Sequence, residues 1–92
     1  MATKKKADII TSSGFKCNLD ANRLNNMELF DELASFQDGD ARALSRVLTM
    51  LLGDEKKKLY DHLRTEDGRV PIEDLARELT EIMKGVNEGK NS

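Results

Sequence analysis

Cys17 and His62 are the only residues of their types in the 92-residue chain. A soft-metal site or a histidine-activated nucleophile would have to begin with one of them. A His-x-x-x-His or paired-cysteine site needs more than the chain offers, and a Ser–His–Asp or Cys–His arrangement would rest on His62 alone. Cys17 falls on the apolar side of the alternating run Phe15-Lys16-Cys17-Asn18-Leu19-Asp20 and reads as a small inward side chain. His62 lies in the last turn of an expected helix, where a cation sits well against the helix dipole. Carboxylate pairs exist, Asp31-Glu32 and Glu73-Asp74, but both fall on faces expected to meet water. The six glycines are scattered and form no phosphate-cradling cluster. The chain is therefore read as non-enzymatic, with no catalytic residue, metal or cofactor.

One loop comes close to a metal motif. Arg64-Thr65-Glu66-Asp67-Gly68-Arg69-Val70 resembles the second half of a calcium-binding EF-hand loop, with Gly68 at the sixth position. That alignment places Leu63 where the first carboxylate is required, Thr65 at the third ligand position and Asp74 in place of the final Glu. Calcium binding fails at its first ligand, and a plain glycine turn remains.

The elements around these residues can be read from periodicity. Residues 41–52 form an expected helix with Asp40 as N-cap and Gly53 as the terminating glycine. Its apolar side chains fill an arc of roughly 200°, against the roughly 100° that one neighbour covers. An earlier helix over 26–36 is opened by Asn25, with Glu28 completing a capping box and Leu24 and Leu29 a hydrophobic staple. Moved by fourteen residues it superposes on the 41–52 helix, with Glu28 and Glu32 where that helix carries Arg42 and Arg46. A third helix, 55–63, is capped by Asp54 and carries Lys56, Lys57 and Lys58 as a solvated start. A fourth, 72–84, follows Pro71, buries Ile72, Leu75, Ala76, Leu79, Ile82 and Met83, and ends at Gly85. Its residues Glu73, Asp74, Arg77, Glu78 and Glu81 are assigned to water. Before them, two short runs flank Ser12-Ser13-Gly14 and give a β-hairpin over 8–20. The expected fold is mainly α (α+β), a single four-helix domain over 8–85 with the hairpin packed on it. Residues 1–7 are expected to be a disordered basic terminus and 86–92 a frayed polar tail.

Net charge is −2, divided as +3 over residues 1–25 and −5 over residues 26–92. An acidic body is poorly suited to phosphate backbones, so no nucleic acid partner is expected. No run approaches a membrane span or the apolar core of a signal peptide, and a single cysteine suits a reducing compartment.

The order of elements resembles a family. The hairpin Ile10-Thr11-Ser12-Ser13-Gly14-Phe15-Lys16 leads to the acidic helix Met27-Glu28-Leu29-Phe30-Asp31-Glu32-Leu33, then Asp38-Gly39-Asp40 and the leucine-rich helix ending Leu51-Leu52-Gly53. Tyr60-Asp61-His62-Leu63-Arg64-Thr65-Glu66-Asp67-Gly68-Arg69-Val70-Pro71 follows. Over about residues 8–84 this is similar to the small tail assembly chaperones of long-tailed bacteriophages and prophages of Gram-positive bacteria. The resemblance implies a protein of the host cytoplasm that coats the aggregation-prone tape measure protein until tail tube subunits polymerise around it. It implies self-association into a homo-oligomer, with the major tail tube protein as a further candidate partner. Adaptable side chains at the edges of the apolar arcs would hold the client: Met27, Phe36, Ala43, Met50 and Met83. The Ala43–Met50 edge is the first place to look. The competing expectation is a small helical regulatory or DNA-binding protein using the third and fourth helices, which would need a basic face on the last helix.

Overall fold

The computed structural model describes the backbone of residues 6–89 and the side chains of residues 8–86. Of the terminus expected to be disordered over 1–7, residues 1–5 lie outside that range, while Lys6 and Ala7 belong to the first strand, paired with Asp20 and Leu19. Two antiparallel strands, β1 (Lys6–Ile10) and β2 (Lys16–Asp20), are followed by a 3-10 turn over Ala21–Leu24. Four helices complete the chain: α1 (Met27–Gln37), α2 (Ala41–Leu52), α3 (Glu55–Leu63) and α4 (Ile72–Gly89). The architecture is a mainly α four-helix domain with an N-terminal hairpin, as the periodicity predicts.

The hairpin register pairs Ile9 with Cys17 and Ala7 with Leu19. Strict alternation then turns Phe15, Cys17 and Leu19 to the core. The Ser12-Ser13-Gly14 turn closes with the Thr11 amide donating to the Phe15 carbonyl and the Gly14 amide to the Thr11 carbonyl, both at 2.9 Å, and with Gly14 at a positive φ of 93°. That is the three-residue hairpin loop in which glycine takes the left-handed position.

α2 is the central helix. Asp40 caps it by accepting from the Arg42 amide, and Gly53 ends it at a φ of +56°. Ala43, Leu44, Val47, Leu48, Leu51 and Leu52 are all buried. Its wide apolar arc is covered chiefly by α1, α3 and the 3-10 turn, whereas α4 lies mainly on β1. The fourteen-residue offset between α1 and α2 becomes a real contact, since Arg46 Nε bonds Glu32 at 2.7 Å while its Nη2 bonds Asp40 at 3.0 Å.

Several local expectations change. The N-cap of α1 is Asn26, which accepts from the Glu28 amide at 3.0 Å, and not Asn25. Asp20 caps the 3-10 turn, and Asn25 closes that turn by donating to the Asn22 carbonyl. The turn consumes residues 21–24 and so moves the helix start one residue on. Asp54 is in helical conformation and its side chain makes no capping bond. Gly85 does not end α4. The helix runs to Gly89 and Val86 is buried, so residues 86–89 of the expected frayed tail are helical, and residues 90–92 lie outside the described range. Gly85 is needed for a different reason. A Cβ there would sit 3.0 Å from Ile9 Cγ2 and 3.1 Å from Cγ1, so the missing side chain lets α4 lie close on β1.

Candidate partner-binding surface

α1 is only eleven residues long and packs principally against α2. Leu29 is fully buried, while Leu33 and Phe36 pack partly buried against the core. At about 100° per residue these three occupy one side of the helix. Phe30, Ala34 and Met27 continue the same apolar arc onto the opposite side, which among the described residues stays exposed. Met27 is 69% exposed and Phe30 54% exposed, and Ala34 is exposed between them. An apolar sector of roughly 180° thus faces one neighbour, and half of it stays open. Asp31 and Glu28 border the open half on one flank.

The other candidate client residues are distributed differently. Ala43 is fully buried, which removes it as a contact residue, so that of the Ala43–Met50 edge Met50 is the end that reaches the surface. Met50 and Met83 are half-buried against the core cluster, as is Phe36. The structure does not bring the five together into one patch. It leaves Met27 on the surface and adds Phe30, which periodicity alone assigns to the interior. Ile72 is likewise 58% exposed rather than buried, because it precedes the part of α4 that rests on β1.

Polar residues expected to meet water turn out to hold the hairpin. The Ser12 amide and hydroxyl donate to Glu81 Oε1 and Oε2 at 2.7 and 2.6 Å. These bonds hold the Glu81 carboxyl below its ordinary range. His62 donates from Nε2 to the Ser13 carbonyl at 3.0 Å and stacks against Phe15 with ring centroids 5.7 Å apart. α3 and α4 therefore grip one turn from two sides. Lys56 is also committed, its Nζ donating to Ser45 and Thr49 hydroxyls at 2.9 and 2.8 Å. Lys57 and Lys58 remain exposed.

Cys17 is buried, and desolvation, with smaller contributions from the Glu55 and Glu78 charges, pushes its thiol up to about 11. A thiol held neutral in this way is a weak nucleophile. Glu78 departs furthest from expectation. It is 1% exposed, and its Oε1 has no hydrogen-bond partner. It shares the inner face of α4 with Leu75, Leu79 and Ile82, where its three- and four-residue spacing puts it.

The glycine turn at Gly68 is built from Thr65 and Arg69. The Thr65 amide bonds the Arg69 carbonyl, Gly68 bonds back to Thr65, and Arg64 donates to the Gly68 carbonyl at 3.0 Å. Its hydroxyl and carboxylate groups satisfy one another, Thr65 bonding Asp67 and Asp67 pairing with Arg69. Among the described residues no group of three His, Cys, Asp or Glu side chains is placed to hold a metal ion. Two surface depressions, one along Arg69–Asp74 and one between the hairpin and Glu55, are both open to solvent. No helix of the described residues is long and apolar enough to cross a membrane. Comparison with protein-family models, curated proteins and solved structures gives no match.

Proposed function

We propose that this protein is a non-enzymatic tail assembly chaperone of a long-tailed bacteriophage or prophage, acting in the cytoplasm of its bacterial host on the tape measure protein. The reading begins from the resemblance over about residues 8–84. The observation that carries it further is the open apolar half of α1, formed by Met27, Phe30 and Ala34. A protein of this size rarely leaves aligned large apolar side chains in water on one helix unless a partner covers them. Methionine and phenylalanine suit a holdase, because they adapt to varied apolar surfaces without demanding one geometry. Self-association and contact with the tail tube protein belong to the same reading.

Co-expression with the tape measure protein from the same gene cluster tests it. The expected result is a soluble tape measure protein that co-purifies with this chain. A tape measure protein equally insoluble with and without the partner would remove the reading.

A further inference from the structure

We propose that the open side of α1 is a docking face for an amphipathic helix whose apolar ridge is bordered by lysine or arginine. Single exposed apolar residues are ordinary on any protein and need no partner. Here the exposed set is ordered. Met27, Phe30 and Ala34 follow one another at three and four residues along one helix and continue inward to half-buried Leu33. The stripe spans about two turns, roughly 10 Å at the helical rise, which a partner helix of ordinary length covers.

Charge decides the partner's chemistry. Met27–Gln37 contains Glu28, Asp31 and Glu32 and no lysine or arginine. Glu32 is committed to Arg46. Glu28 and Asp31 stand exposed beside the stripe, and among the described residues no cation pairs with either. A helix flanked by lysine or arginine would satisfy both carboxylates as its ridge covers Phe30 and Met27. An acid-flanked helix would set like charges against each other as water leaves the contact. A second copy of this chain is a poor occupant for the same reason. Among the described residues, the other exposed large apolar ones are Ile10, on a strand, and Ile72, which is followed directly by Glu73 and Asp74.

The inference rests on the chaperone reading only for the identity of the natural partner, and it is tested without that partner. The full chain is titrated calorimetrically with two synthetic 18-residue helical peptides that share one leucine ridge. One peptide carries lysine along the ridge border and the other glutamate. The lysine peptide is expected to bind at least tenfold more tightly. Phe30→Ser should weaken it at least tenfold with an unchanged thermal melt, whereas Ile72→Ser should leave it unaltered. Glu28→Lys combined with Asp31→Lys should reverse the preference between peptides. Equal affinity for both peptides, no binding of either, or binding indifferent to Phe30→Ser would each overturn the proposal. So would a dimer that Phe30→Ser converts to monomer while peptide binding is absent, because a second copy would then be the occupant. Peptide binding without solubilisation of the tape measure protein would remove the chaperone reading and keep the docking face. The opposite pair of results would remove the face and keep the reading.

Discussion

Glu78 is the side chain with most to lose by being where it is. A buried carboxyl oxygen without a partner, as Oε1 is, forfeits hydration that its neighbours do not replace. Replacing it with an apolar residue of similar volume should stabilise the fold, and we expect Glu78→Met to add about 1–2 kcal/mol. For a domain of this size that is a rise of about 4–16 °C in melting temperature, read by circular dichroism. A lower melting temperature would show that the carboxylate has a stabilising role. Glu81 is a carboxylate of the opposite kind, exposed to water yet bonded twice by Ser12. Its folded value lies below the ordinary 4.5, so its stabilisation is fully present above 4.5 and is lost as the pH falls through the folded value. Glu81→Gln should therefore flatten the melting temperature between neutral pH and acid below 4.5. A residual slope should remain from Asp40 and Asp67, which Arg46 and Thr65 hold low in the same way. Neither glutamate's role is legible in sequence. Both sit among the charged residues of α4, and charge by itself argues for water.

At the scale of elements, hydrophobic period and caps locate all four helices and the hairpin, because each apolar stripe in the chain has the spacing of its element. What they miss is the number of neighbours an element has. Met27 and Phe30 lie on a stripe that would be buried if α1 had a second extensive neighbour, and among the described residues it packs principally against α2. Gly85 reads as a stop signal because glycine commonly ends helices. Here it continues the helix and instead permits close approach to Ile9. Gly85→Ala makes that distinction measurable. A stop-signal glycine replaced by alanine inside a longer helix would gain up to about 1 kcal/mol of propensity. Contact with buried, β-branched Ile9 should outweigh this, leaving the variant about 1 kcal/mol less stable in chemical denaturation. In an Ile9→Ala background the same substitution should carry no such penalty, and a stabilised Gly85→Ala single variant would show that the approach is not tight.

Across the whole molecule, attachment is uneven. The hairpin, α3 and α4 are joined by the Ser12–Glu81 and Ser13–His62 bonds, by Phe15 against His62 and by the contact at Gly85. α1 joins the rest principally through α2, with one bridge from Arg46 to Glu32 that lies in water and contributes little. Eleven residues are too few to stay helical alone. The consequence is a subdivision of cooperativity: α1 can melt as a unit while the remainder stays intact. Native-state hydrogen exchange should find α1 amides opening at a free energy about 2 kcal/mol below that of α2. Equal protection of the two helices would refute this. When α1 opens, the apolar side chains of α2 that it covers become accessible, so the apolar surface that this small chain can offer is set by an unfolding equilibrium as much as by its folded shape.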